Sequence, residues 1–188
     1  MAYVVLFHSV YGLRPAVIDA AERMRAAGHT VSTPDLYAGQ VAGTIDEGFA
    51  LSEQIGWDTI IGRARDAMRG CPDDAALSGF SMGTGVVGGL LPERPDTAGV
   101  LLLDGVGGEP DAIRAGLPIQ LHIADSDEYF PATRITRWCA GMAAAGASVT
   151  VYSYPDAGHL YSDAGTAAYN KAAADLTWQR SLAFLGDL

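Results

Sequence analysis

Short apolar runs alternate with helical patterns along the chain. The clearest run is Gly99-Val100-Leu101-Leu102-Leu103, and the runs near the N-terminus and after Pro118 are also predominantly apolar. Continuous apolar runs of about four to eight residues are typical of strands buried on both faces. The pattern predicts six strands, at residues 3–7, 30–33, 75–79, 98–103, 118–123 and 148–154.

Apolar residues at helical spacing fill the segments between these strands. After Pro15, the face of the first helix carries Val17, Ala20, Ala21 and Met24. Further helices are predicted at residues 49–68, 83–91, 131–145 and 166–186. Strands that alternate with helices form right-handed crossovers and a mostly parallel sheet with helices on both faces. We therefore expect an α/β fold in a single domain over residues 1–188, without a large cap domain.

Composition and charge exclude several classes of protein. Hydrophobic residues make up 49% of the chain and charged residues only 18%, which argues against disorder. The formal net charge of −10 is dispersed, and an acidic surface repels nucleic acid. No apolar run reaches the roughly 20 residues of a membrane helix, and the N-terminus lacks the basic region of a signal peptide. We expect a cytoplasmic protein, a monomer or small homo-oligomer, that binds neither nucleic acid nor membrane.

The third predicted strand ends in Gly79-Phe80-Ser81-Met82-Gly83, which matches the nucleophile elbow G-x-S-x-G. Glycines two residues before and after the serine allow the close approach of strand and helix that a sharp turn needs. The turn exposes the Ser81 hydroxyl and directs the Met82 N–H, at a helix N-terminus, toward a developing oxyanion. The motif alone fits a glycine-rich turn with an incidental serine equally well, but the strand before it and the helix after it favour a nucleophile.

A serine nucleophile needs a base and an acid that orients the base. His159 follows the sixth strand and lies at the same sheet edge as Ser81, whereas His29 is expected at the surface and His122 in the core. The fifth strand is followed by Asp125, Asp127 and Glu128, any of which could supply the acid. The chain order Ser…Asp…His is that of α/β-hydrolases. The first loop should supply a second oxyanion donor, from the Val10 or Tyr11 N–H.

Aromatic residues near the predicted strand ends outline a substrate pocket. The candidates are Tyr11, Trp57, Tyr129 and Tyr161, although Trp57 would pack equally well in a core. An aromatic wall suits an uncharged acyl or aryl ester. The two cysteines, Cys71 and Cys139, have no metal-like spacing, and no dinucleotide motif follows the first strand, so no cofactor and no metal are expected.

Together these motifs resemble the dienelactone hydrolase family of α/β-hydrolases over nearly the whole chain. Thr33-Pro34-Asp35-Leu36-Tyr37 resembles the family's P-D-L-Y, the elbow its G-F-C-M-G, and residues 154–159 its Y-P-x-A-x-H. Residues 127–131 resemble the family's acid followed by a proline four positions on, which implies Asp127 as the acid. Residues 8–12 resemble its Q-E-I-F-G loop, which implies an oxyanion hole formed by the Val10 and Met82 N–H groups.

The chain departs from the family pattern at two positions near the nucleophile. Family members that open dienelactones use a cysteine held by a glutamate, and these positions are Ser81 and Ser9 here. No arginine matches those that bind the substrate carboxylate, and Leu160 to Asp163 follow the histidine. We expect a serine hydrolase of small carboxylic esters or thioesters, which are its only expected partners. An acyltransferase, amidase or peptidase on the same triad, or a non-catalytic ligand-binding protein, are the alternatives.

Overall fold

The computed structural model describes residues 1–108 and 113–188. Its centre is a six-stranded sheet in the order β2-β1-β3-β4-β5-β6, and every neighbouring pair is parallel. The strands are β1 (Tyr3–Phe7), β2 (Thr30–Ser32), β3 (Ala76–Phe80), β4 (Val100–Leu103), β5 (Pro118–Ala124) and β6 (Ser148–Tyr154). The predicted α/β fold with a mostly parallel sheet is confirmed.

The described residues also form six α-helices and one short 3-10 helix, Leu91–Glu93, and all of these except the last α-helix lie between strands. The α-helices are α1 (Pro15–Ala26), α2 (Ile45–Ile55), α3 (Trp57–Met68), α4 (Met82–Leu90), α5 (Ala132–Ala144) and α6 (Lys171–Gly186). Pro15 begins α1. Proline has no N–H to donate, but at the first position of a helix this costs no hydrogen bond, because an N–H there has no acceptor within the helix. At the start of α2, the Thr44 hydroxyl accepts from the Glu47 N–H while the Glu47 carboxylate accepts from the Thr44 N–H.

The sheet is buried on both faces because consecutive strand residues point to opposite sides. In β1, Val5 packs in a cluster with residues of α3, α4 and α5, whereas Val4 packs in a second cluster with residues of α1 and α6. This explains the continuous apolar runs. It also leaves the carboxyl ends of the strands as the place where polar groups collect.

Two predictions about local structure are wrong. The helix expected at 49–68 is two helices, separated at Gly56, whose φ of 83° only glycine adopts readily. His29, expected at the surface, is only 7% exposed, and its Nδ1 accepts a hydrogen bond from the Ala2 N–H at 3.3 Å. His122 is buried in β5, as predicted. None of the described helices is long and apolar enough to cross a membrane.

Candidate active site

Ser81 occupies a strained turn between β3 and α4. Its φ is 47° and its ψ −108°, a conformation that non-glycine residues rarely adopt and that persists only where the surrounding structure holds it. The Ser81 N–H donates to the Leu103 carbonyl at 2.8 Å, which fixes the turn to β4. A Cβ at position 79 would lie 2.4 Å from the Gly83 carbonyl carbon, so the turn needs glycine there. The local backbone thus has the form that the motif predicts.

The side chains of Ser81, His159 and Asp127 form one hydrogen-bonded chain. Ser81 Oγ lies 2.9 Å from His159 Nε2, and His159 Nδ1 lies 2.8 Å from Asp127 Oδ2. The His159 and Asp127 side chains are 5% and 0% exposed. Each comes from the loop after a different strand, so only the parallel sheet brings them together. This is the geometry of a nucleophile, its base and an orienting acid.

Asp127 is the acid that the loop after β5 turns inward. Its second oxygen, Oδ1, accepts from the N–H groups of Tyr129 at 2.9 Å and Phe130 at 3.0 Å. Asp125 and Glu128 are exposed. Because Asp127 accepts three hydrogen bonds, its carboxylate is held in one orientation toward the imidazole.

Two aromatic rings enclose the imidazole of His159. The Tyr129 ring centroid lies 4.7 Å from the imidazole centroid, and the Phe130 ring is stacked on it at 5.9 Å. Phe130 reaches this position because residue 105 is glycine; a Cβ there would lie 2.7 Å from its ring. The rings shield the hydrogen bonds of His159 from water, which strengthens them.

Val10 and Met82, the two predicted oxyanion donors, lie beside Ser81 in the wall of one cavity. Both residues line the same cavity as Ser81, and Met82 is the first residue of α4, at the positive end of the helix dipole. Within residues 1–108 and 113–188, neither N–H donates a hydrogen bond. The Tyr11 N–H, in contrast, donates to Ser9 Oγ at 3.3 Å. The first loop therefore offers Val10 rather than Tyr11 to a developing oxyanion.

A cavity of about 540 Å³ opens in front of Ser81. Its wall contains Val10, Phe49, Ser52, Glu53, Gly56, Trp57, Ser81, Met82, Tyr129, Phe130 and Arg134. Of the four predicted pocket residues, Trp57 and Tyr129 line it. Trp57 is 47% exposed, so it forms the open side of the cavity rather than part of the core.

The other two predicted pocket residues lie elsewhere. Tyr161 is fully buried, and its hydroxyl pairs with that of Thr177 at 2.6 Å. The backbone reverses at Leu160, whose φ is 59°, and this turn carries the next side chain into the core instead of the cavity. The Tyr11 ring lies 3.8 Å beneath the Arg14 guanidinium and packs against the α1 side of the sheet.

Arg134 is a pocket residue that the sequence patterns did not reveal. It lies in the first turn of α5, its guanidinium 4.5 Å from the Phe130 ring centroid, and it lines the cavity. No motif marks it, because its place depends on how α5 packs beside the loop of Asp127. The pocket therefore contains a cation as well as aromatic surface.

Buried histidines away from the triad are neutral. Burial lowers the pKa of His8, whose Nε2 accepts from the Leu36 N–H at 3.0 Å. Burial lowers the pKa of His122 to about 3, and the Arg180 charge acts in the same direction. Among the described residues, no cluster of three His, Cys, Asp or Glu side chains could hold a metal ion.

Comparison with known proteins assigns the chain to a family. The model of the family described as "Dienelactone hydrolase family" matches residues 1–188. A protein of Azospirillum brasilense named "Putative carboxymethylenebutenolidase" is 27% identical over 96% of this chain and 84% of its own length.

Solved structures share the fold. A dienelactone hydrolase-like promiscuous phosphotriesterase from metagenomic libraries superposes with a TM-score of 0.82, at 17% identity, over 100% of this chain and 87% of its own. A phospholipase/carboxylesterase from Dyadobacter fermentans does so with a TM-score of 0.64, at 14% identity, over 95% of this chain and 88% of its own.

Proposed function

The chain belongs to the dienelactone hydrolase family and is a hydrolase acting on ester bonds, and we propose that it cleaves small carboxylic esters or thioesters. The reaction would proceed through an acyl-enzyme on Ser81. The observation that carries the proposal is the chain of hydrogen bonds from Ser81 Oγ through His159 to Asp127. A hydroxyl is a poor nucleophile until a base removes its proton, and His159 Nε2 is at the distance this requires.

The reaction runs in two halves. Ser81 Oγ attacks the acyl carbonyl as its proton passes to His159, and the Val10 and Met82 N–H groups donate to the oxyanion. Collapse of the tetrahedral intermediate releases the alcohol or thiol, which takes the proton from His159. Water, deprotonated by His159, then attacks the acyl carbon, and the acid leaves as Ser81 recovers its proton. Asp127 holds the imidazole in the tautomer that presents Nε2 to Ser81 and stabilises the imidazolium.

Serine at position 81 sets this chain apart from a thiol enzyme. A cysteine ionises readily, whereas a serine depends on its base in both halves of the reaction. The shielding of His159 by Tyr129 and Phe130 supports the dependence of Ser81 on this base. An imidazole that is shielded from water keeps a stronger hydrogen bond to the serine.

The pocket supports small acyl or aryl esters as substrates. A volume of about 540 Å³ lies within the range of small-molecule pockets, so it has room for a whole small acyl or aryl ester. Its aromatic wall binds apolar surface, while the exposed Phe49 and Trp57 leave the entrance wide. Broad specificity follows from an open site of this kind. Cleavage of long-acyl esters alone, with short esters untouched, would contradict this substrate class.

The proposal is tested with p-nitrophenyl acetate and a fluorophosphonate probe. Ser81→Ala should abolish release of p-nitrophenol and probe labelling, and mass spectrometry of the labelled wild type should locate the adduct on Ser81. Ser52→Ala is the matched control, because it removes a second serine hydroxyl from the same cavity, one that donates to the Phe49 carbonyl at 2.8 Å. Turnover that persists in Ser81→Ala would refute the nucleophile. Failure of the wild type to label or turn over would favour a ligand-binding protein.

A further inference from the structure

A second aspartate is buried beneath the candidate active site. Asp104 directly follows β4, the strand between the one that leads to Ser81 and the one that leads to Asp127. Its N–H donates to the His122 carbonyl at 2.9 Å, and its φ is 57°, in the left-handed region. The backbone thus fixes this aspartate at the carboxyl edge of the sheet, where the triad assembles.

The Asp104 carboxyl has no cationic partner among the described residues. The residue is 1% exposed. Within residues 1–108 and 113–188, neither of its oxygens accepts a hydrogen bond of normal geometry, and no cationic side chain pairs with it. An isolated carboxylate in such surroundings is strongly unfavourable, so the group takes up a proton instead.

The groups around Asp104 belong to the loops that carry the acid and the base. Burial raises the pKa of Asp104 well above its ordinary value, and the neighbouring Asp127 carboxylate and the more distant Asp163 carboxylate act in the same direction. The Leu160 N–H and the Ser162 hydroxyl lie close by and act in the opposite direction. Asp104 therefore lies near both the acid of the triad and the turn after His159.

Two further groups complete these surroundings. Asp163 is itself paired with Arg14, so part of its charge is compensated. Tyr161 is also a neighbour of Asp104, and burial, reinforced by a charge on Asp104, raises the pKa of Tyr161 and keeps it protonated.

We propose that Asp104 is a positioning residue of the triad, a neutral carboxylic acid that supports the turn carrying His159 and leaves Asp127 as the one ionised acid beside the imidazole. The support acts through the Leu160 N–H and the Ser162 hydroxyl, which lie near the Asp104 carboxyl and belong to the residues one and three positions after His159. A protonated carboxyl has an O–H to donate, and the Ser162 hydroxyl is buried with no other partner in the described structure.

Neutrality matters for the role of His159, so this inference rests on the proposed function. A negative charge near an imidazole favours its protonated form. Two ionised aspartates would hold the imidazole protonated over a wider pH range, and a protonated imidazole cannot accept the Ser81 proton. A neutral Asp104 supplies the support without that penalty.

The protonation state is tested without reference to activity. Infrared difference spectra between the wild type and Asp104→Asn at neutral pH should show the carbonyl stretch of a protonated carboxyl group. The NMR titration of the His159 imidazole should be unchanged in Asp104→Asn, because a neutral amide replaces a neutral acid. An absent carboxyl band, or a His159 pKa that falls in the variant because a negative charge was lost, would overturn the proposal. These measurements stand even if no ester is a substrate.

The positioning role is tested by comparing two variants in ester hydrolysis. Asp104→Asn should keep kcat near the wild-type value, since the amide reproduces the shape and the donor. Asp104→Ala should lower kcat by about tenfold or more while KM stays unchanged, because the turn after His159 loses its support. Equal kcat in the alanine variant and the wild type would overturn the role. Should Asp104→Ala not fold, Asp104→Leu provides the comparison of a side chain that fills the space without a donor.

Discussion

Gly83 lies so close to β1 that a Cβ at this position would be 2.5 Å from the Phe7 carbonyl oxygen. The contact is with backbone, which cannot move aside as a flexible side chain does. It holds the first turn of α4 against the strand that leads to Val10. The lack of a side chain at Gly83 therefore fixes the distance between the two candidate oxyanion donors, the N–H groups of Val10 and Met82.

Gly83→Ala should destabilise the protein because the new methyl group collides with the backbone of β1. Overpacking of this kind costs about 1–3 kcal/mol in the free energy of unfolding, measured by urea denaturation. Gly62→Ala is the matched control: this glycine lies within α3, and a Cβ there meets nothing within 4 Å. The control should be stabilised, by up to about 1 kcal/mol, through helix propensity. Equal stability of the two variants would show that α4 does not sit against β1 as described.

Asp127→Asn should remove most of the activity while leaving the fold intact. An amide in place of the carboxylate favours the wrong imidazole tautomer, and we expect kcat for p-nitrophenyl acetate to fall by about 10³- to 10⁴-fold. Asp125→Asn changes an exposed carboxylate two residues away and should leave kcat unchanged. A larger loss of kcat in Asp125→Asn than in Asp127→Asn would show that Asp125, and not Asp127, is the acid.

Trp57→Ala should weaken substrate binding more than it weakens the fold. The side chain lines the cavity yet is 47% exposed, so its removal takes apolar surface from the substrate and little from the core. We expect KM for aryl esters to rise by about tenfold, with thermal stability nearly unchanged. Tyr169→Ala removes a similarly exposed aromatic ring, 40% exposed, that does not line this cavity, and should leave KM as it is. An unchanged KM in Trp57→Ala would exclude this wall from substrate binding.

His122 makes the folded state sensitive to acid. Its pKa in the folded protein is about 3, against 6.5 for the free side chain, because burial and Arg180 disfavour the cation. Between these pH values the unfolded chain binds more protons than the folded one, so stability falls as the pH falls. The contribution of this single group is at most about 1.4 kcal/mol per pH unit.

The measurement is urea denaturation from neutral pH down to about pH 4, within the window set by that pKa. His122→Gln should show a smaller loss of stability over this range than the wild type, since the carboxyl groups contribute equally to both. The side chain also bonds to the Tyr154 hydroxyl and Gln120, at 2.7 and 2.8 Å, so the variant is expected to be less stable at neutral pH. Identical pH slopes would mean that His122 is solvated or paired in some other way.

Much of the candidate site follows from local sequence. The elbow is recognisable because a strand, a glycine-flanked serine and a helix are neighbours along the chain, and the turn at Ser81 needs all three. His159 is recognisable because parallel strands place the ends of β3 and β6 at one edge of the sheet. The split of the predicted long helix at Gly56 was missed because glycine is tolerated within helices, and only its φ of 83° shows that the helix ends there.

The sequence by itself determined the order of strands and helices along the chain and the residue types at the strand ends. Both depend on periodicity and on neighbours in the chain. The directions of side chains within the loops were decided only by the tertiary structure. Packing turned Asp127 inward and left Asp125 in solvent, carried Tyr161 into the core, and brought Arg134 to the cavity. Asp104, which precedes a glycine at the end of an apolar run, shows no signal in the sequence. Its proposed role depends on the loops of Asp127 and His159, which are distant along the chain and come near Asp104 only in the folded protein.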